Sequence, residues 1–172
     1  GSRAAAEALA EMSLAGRTVV EIGAGTGLCS LAAASLGAAE VVATDASPGV
    51  LELIEAAAAA QDLGAVRTQV FDFLGASAAS PVRGVDIAVA ADLLYTEEIT
   101  RAVARTCAAL KRGGAAVIVT DSQRRHRDAF LDELDRCLAR ADREFEATTV
   151  SDYTGWSYPD AGDVSVEAIT VG

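Results

Sequence analysis

The chain is poor in the residues on which several chemistries depend. It holds a single histidine, His126, which argues against a histidine-based metal centre or a Ser-His-Asp triad; no metal site is expected. Its three cysteines, Cys29, Cys107 and Cys137, are odd in number and form no Cys-x-x-Cys pair. That leaves no basis for a disulfide framework. Each lies among apolar neighbours in a helical-looking segment and reads as a reduced, small, buried hydrophobe. No uncharged apolar run is long enough to span a bilayer, and no signal peptide is visible. No Gly-Lys-Ser/Thr follows a glycine-rich turn, which excludes the phosphate loop. Basic side chains are in the minority, 14 against 25 acidic ones for a formal net charge of −11. A nucleic-acid surface needs the opposite balance. The expectation is a cytoplasmic, monomeric protein with no nucleic-acid or membrane partner.

Apolar residues are plentiful instead. At 172 residues and 51% hydrophobic content, the chain can bury a sizeable core and is read as one domain, residues 1–172. Gly1-Ser2 reads as a cloning remnant, so an N-terminal segment is expected to be missing.

One stretch organises the rest: Thr18-Val19-Val20-Glu21-Ile22-Gly23-Ala24-Gly25-Thr26-Gly27. A β-branched run, an alternating-glycine turn and the helical segment 28–36 spell strand, tight turn, helix. Glycine lets the backbone turn sharply and approach a ligand closely, and the turn presents free N–H groups at a helix start. The spacing is Gly-x-Gly-x-Gly. A dinucleotide fingerprint would need its third glycine at position 28, which is Leu28. Glu21 just before the turn would repel a pyrophosphate. It suits a cofactor with positive charge and no phosphate, and S-adenosylmethionine, with an ammonium and a sulfonium, is such a molecule.

Helical and strand patterns alternate along the remainder. Helices are predicted over 4–14, 28–36, 48–61, 97–110 and 127–141, and strands over Thr18–Ile22, 40–44, 66–71, 85–91 and 115–120. Segments 145–150 and 164–171 alternate like strands with no helix between them. The expected fold is therefore α/β: a Rossmann-like, doubly wound, seven-stranded sheet, mostly parallel, with a C-terminal antiparallel hairpin.

Ligands of such sheets lie beyond the carboxyl ends of the strands, and acids collect there: Glu21, Asp45, Asp72, Asp92 and Asp121. Asp45, about twenty residues past the turn, suits ribose hydroxyls or a cap for the Pro48 helix. Asp72 suits an adenine amino group with Phe73 stacking on the ring; the alternatives are a loop-start aspartate and a core phenylalanine. Asp121 reads as a cap for the following turn. Asp92 follows a strand of small apolar residues, which places its carboxylate at the cleft mouth with Tyr95 near it on a turn; the alternative is a core tyrosine beside a helix cap.

Together these motifs resemble the seven-strand (class I) S-adenosylmethionine-dependent methyltransferases, and within them methyltransferase family 16, the protein-lysine methyltransferase-like group. The matching residues are 20–28, 43–45, 71–73 and Ala91-Asp92-Leu93-Leu94-Tyr95-Thr96-Glu97-Glu98, in a likeness spanning residues 18–135. The resemblance implies that Gly23, Ala24 and Gly25 line the methionine part of the cofactor, and Glu21, Gly27 and Ala46 are counted with them as cofactor-binding residues. It places Asp45 at the ribose, Asp72 and Phe73 at the adenine, and the Ala91 backbone against the cofactor. It implies a protein substrate methylated on lysine, with Asp92 attracting and orienting the ammonium and Tyr95 shaping the channel. The family usually has tryptophan where Phe73 stands, and an upstream tryptophan-containing segment that this chain lacks. Methyltransferases acting on base amines or glutamine carry an Asn/Asp-Pro-Pro-Tyr turn here, whereas positions 93 and 94 are both leucine. Two other readings stay open. One is a small-molecule methyltransferase using Tyr153, Trp156 and Tyr158; the other is a non-catalytic cofactor-binding scaffold.

Overall fold

In the computed structural model, residues 1–75, 80–122, 126–139, 147–154 and 165–171 are described. Five strands lie parallel: β1 (Thr18–Ile22), β2 (Glu40–Asp45), β3 (Val66–Val70), β4 (Ile87–Ala91) and β5 (Ala116–Asp121). The helices are α1 (Ser2–Ala10), α2 (Leu28–Ser35), α3 (Pro48–Ala60), α4 (Glu97–Arg112) and α5 (Arg127–Ala139). The order of these five strands is β3-β2-β1-β4-β5; the other described strands are β6 (Ala147–Thr154) and β7 (Ser165–Val171). Of the expected strand 145–150, residues 147–150 fall in β6; residues 145 and 146, like Trp156 and Tyr158, lie outside the described residues.

The period-2 alternation of a strand sends successive side chains to opposite faces, and two cores follow from it. Val20, Ile22, Ala88, Ala90, Val117 and Val119 face a core completed by α4 and α5. Val19, Val41, Ile87, Val89, Ala91 and Ile118 face a core completed by α1 and α2. Ala33 of α2 is fully buried there, and its small side chain allows the helix to lie close to the sheet. Ala24, Ala43, Leu51 and Ile54 form a third cluster that seats α3. Strands buried on both faces explain the nearly continuous apolar run of β4.

The fold departs from the sequence expectation mainly at element ends. The first helix stops at Ala10, not residue 14, and Leu14 leaves the helix to become buried. β4 starts at Ile87 rather than residue 85. The carboxylate of Asp86 accepts from the Thr18 backbone N–H (2.8 Å) and from Arg17 (3.1 Å), so Asp86 ties the strand starts together instead of extending the strand. α4 is capped as expected: the Thr96 hydroxyl accepts from Ile99 N–H at 3.2 Å. Glu97 and Glu98 occupy its first turn and Lys111 and Arg112 its last, in line with the helix dipole. α5 docks on α4 through Phe130, Leu134 and Leu138. Each such buried side chain contributes about 2 kcal/mol. Beside them Glu133, only 1% exposed, accepts from Arg101, Arg105 and Arg136. Burial alone would raise that carboxyl, but Arg136 and Arg105 outweigh it and hold it below its usual range.

Candidate active site

The strand register aligns the candidate residues. Ile22 is level with Thr44 of β2 and with Ala90 of β4. Gly23 therefore emerges beside Asp45 on one side and Ala91 on the other. Asp45 is level with Val70, which puts Asp72 two residues beyond on the same edge. Ala91 is level with Thr120, which puts Asp92 beside Asp121. The order reverses between β1 and β4, so this edge lies at the topological switch point, where doubly wound sheets bind ligands.

The glycine turn is held by three hydrogen bonds donated by its backbone N–H groups, two to backbone oxygens and one to a side chain. Ala24 N–H donates to Thr44 O (2.8 Å), Gly27 N–H to Ala24 O (2.8 Å), and Gly25 N–H to Asp45 Oδ2 (3.1 Å). Two of its glycines serve different ends. At Gly27 φ is +74° and an added Cβ would lie 2.7 Å from Ile54 Cγ1; that glycine lets α2 pass close to α3. At Gly25 φ is +52° and nothing lies within 4 Å of an added Cβ. That glycine faces open space beside the Asp45 carboxylate.

Glu21 is only 2% exposed. Its Oε2 accepts from the Ser30 backbone N–H (2.8 Å) and hydroxyl (2.6 Å). A carboxylate from β1 thus caps the first turn of α2, whose own N-cap, Gly27, offers no side chain. The side chain faces α2 and not the open edge, which differs from the cofactor-lining place the sequence suggests. Burial pushes the carboxyl above its ordinary value, and the Ser30 bonds only partly oppose this.

Asp45 uses both oxygens within the loop: Oδ2 on Gly25 N–H and Oδ1 on Ser47 N–H at 2.9 Å. It therefore braces the start of α3, whose Ser47 makes no side-chain cap bond. Each carboxylate oxygen keeps a lone pair for a further donor. Ala46 beside it is exposed. Asp72 is exposed and accepts from Leu74 N–H at 2.9 Å. Phe73 is half-buried and packs on the core shared with α4 and α5.

Asp92 has a signal the sequence did not give. Its φ is +55°, the left-handed region that aspartate tolerates better than most residues. Sterically sparse conformations of this kind collect at functional sites. The Asp92 N–H donates to Thr120 O at 2.8 Å, the Ser122 hydroxyl donates to Asp92 Oδ1 at 3.1 Å, and Oδ2 lies 2.7 Å from the Gly1 ammonium. The side chain keeps 26% of its surface exposed. Tyr95, turned by a Tyr95 N–H to Leu93 O bond of 2.9 Å, is 52% exposed. It is not a core tyrosine, and Thr96, not Asp92, caps α4. Ser122 was missed in the sequence, because its part depends on β5 lying next to β4. Among the described residues, no group of three or more His, Cys, Asp or Glu side chains is arranged to hold a metal ion.

The fold and this edge define a Rossmann-like S-adenosylmethionine-dependent methyltransferase class. A solved TehB-like S-adenosylmethionine-dependent methyltransferase from Corynebacterium glutamicum superposes with a TM-score of 0.66 at 16% identity, covering 97% of this chain and 85% of that one. The model of the lysine methyltransferase family matches residues 2–137, and the chain belongs to that family. The protein N-lysine methyltransferase METTL21A of Danio rerio is 33% identical over 130 residues, 73% of this chain and 59% of that protein. A ribosomal protein L11 methyltransferase of Deinococcus radiodurans is 45% identical over 47 residues, 27% of this chain and 17% of that protein. The chain thus spans less than two thirds of either relative. S-adenosylmethionine is the cofactor, and the open space at Gly25 beside an acceptor-rich Asp45 fits a ligand carrying ribose hydroxyls.

Proposed function

We propose that the protein methylates the side-chain amine of a lysine in a protein substrate, as a single domain whose sheet ends in an antiparallel β6/β7 hairpin. The observation that carries this reading is the Asp92 carboxylate, fixed at the switch point by its backbone bond to Thr120 and left part-exposed there. Gly23, Ala24, Gly25 and Gly27 form the turn around the methionine end of the cofactor. Asp45 and Ala46 serve the ribose, Asp72 and Phe73 the adenine, and the Ala91 backbone the cleft floor. Glu21 acts behind them by capping α2.

The bound cofactor supplies an electrophilic methyl group on a sulfonium. The chain's task is to deliver a neutral amine in line with it, and positioning does most of that work. A lysine with an ordinary pKa near 10.4 arrives as an ammonium. Asp92 attracts it, holds one N–H on Oδ2 and takes the proton that must leave before nitrogen can attack. Once neutral, the amine would be held by Asp92 in line with the methyl group that the cofactor would supply. Tyr95, exposed three residues on, lines the entrance. The net charge of −11 suits a basic protein segment and opposes nucleic acid.

The test is incubation of the full-length protein with methyl-labelled cofactor and a cell lysate. Label in lysines of one or a few proteins supports the proposal. Label in small molecules would favour the small-molecule reading, and absence of cofactor binding the scaffold reading.

A further inference from the structure

The Asp92 backbone is fixed by its bond to Thr120 O, but a backbone bond does not orient a carboxylate about χ1 and χ2. That orientation comes from β5. The Ser122 hydroxyl, one residue past the strand end, donates to Oδ1 at 3.1 Å. One oxygen of the carboxylate is thus anchored to the neighbouring strand. Ser122 is half-buried and Asp92 keeps a quarter of its side chain exposed, so the anchor sits behind the face that meets solvent. We propose that Ser122 is a positioning residue. By holding Oδ1 it aims Oδ2 at the incoming amine, without itself touching cofactor or substrate. This rests on the reading of Asp92 as the ammonium acceptor.

The bond is charge-assisted, a hydroxyl to a carboxylate, and so is stronger than a neutral pair. Its loss leaves the carboxylate free to turn while the sheet beneath is untouched. Ser122→Ala should therefore weaken amine capture without unfolding the protein or disturbing the cofactor side. Ser122→Thr keeps the hydroxyl and should restore capture.

Butylammonium, a lysine side chain without its backbone, serves as the probe. It is titrated into isotope-labelled protein saturated with S-adenosylhomocysteine. The Gly1 amine is acetylated so that the chain's own ammonium does not compete. The readout is the Asp92 carboxyl carbon resonance, with melting temperature and S-adenosylhomocysteine affinity measured alongside. The expected result is saturable movement of the Asp92 signal in the wild type, an affinity at least about threefold weaker in Ser122→Ala, and recovery in Ser122→Thr. Melting temperature and cofactor-side affinity should stay unchanged. Equal affinity in wild type and Ser122→Ala, or no recovery in Ser122→Thr, overturns the role of Ser122 and leaves the lysine reading standing. No movement of Asp92 in the wild type overturns the lysine reading, and the Ser122 proposal with it.

Discussion

The Oε2 atom of Glu21 lies 2.6 Å from the Ser30 hydroxyl and 2.8 Å from the Ser30 backbone nitrogen. The first turn of α2, which in a dinucleotide fold would meet a pyrophosphate, is thus already supplied with a carboxylate from within the chain. Cofactor choice and helix capping share one residue.

That arrangement has a pH signature. Burial raises the Glu21 carboxyl above its ordinary 4.5, so the folded state holds its proton more tightly than the unfolded one. The associated stability is full below the ordinary value and is lost as pH rises through the folded value. Glu21→Gln, which cannot ionise, should gain stability relative to wild type between acid and neutral pH. Denaturant midpoints measured from pH 4 upward check this. A Glu21→Gln variant that loses stability relative to wild type as pH rises would contradict it.

The two glycines of the turn should fail differently. Gly27→Ala meets Ile54 at 2.7 Å and adds left-handed strain, so it should destabilise the fold by about 2–3 kcal/mol. Gly25→Ala meets nothing within 4 Å and should lose only about 1–2 kcal/mol of stability, while its methyl group intrudes on the cofactor's space. Thermal melts paired with S-adenosylhomocysteine calorimetry separate the two. Equal folding losses with intact affinity in both would place the cofactor elsewhere.

Asp45→Ala removes the acceptor assigned to the ribose and also the braces to Gly25 and Ser47. Cofactor affinity should fall by about 1.5–3 kcal/mol, the worth of a charge-assisted hydrogen bond. Calorimetry with S-adenosylhomocysteine measures it, and an unchanged affinity would move the ribose away from β2.

The alternation of strand and helix, the glycine turn and the acids at the strand ends were legible because each rests on local spacing. The strand Thr18–Ile22 and the Thr96 cap match their expected places. What was illegible depended on neighbours distant in sequence. Glu21 was read as facing a cofactor, yet the strand's pleat turns it towards Ser30. Phe73 packs on the core completed by α4 and α5, as the core-phenylalanine alternative had it, but local spacing could not choose that alternative because the core is assembled from residues as far apart as Val20 and Leu138. The left-handed turn at Asp92 and its bond to Ser122 need β4 and β5 side by side, which only the tertiary register supplies.

The central claim is that Asp92 acts on the incoming amine rather than on the fold or the cofactor. Alanine is the wrong probe, since it would sit at φ +55° with about 1–2 kcal/mol of strain that aspartate and asparagine largely escape. Asp92→Asn keeps the shape, tolerates the backbone and removes the charge. The decisive measurement is the single-turnover rate of methyl transfer to the identified substrate with cofactor saturating. The account predicts a fall of at least tenfold, about 1.4 kcal/mol of barrier, with S-adenosylhomocysteine affinity within a few-fold of wild type. A full wild-type rate in Asp92→Asn would contradict it.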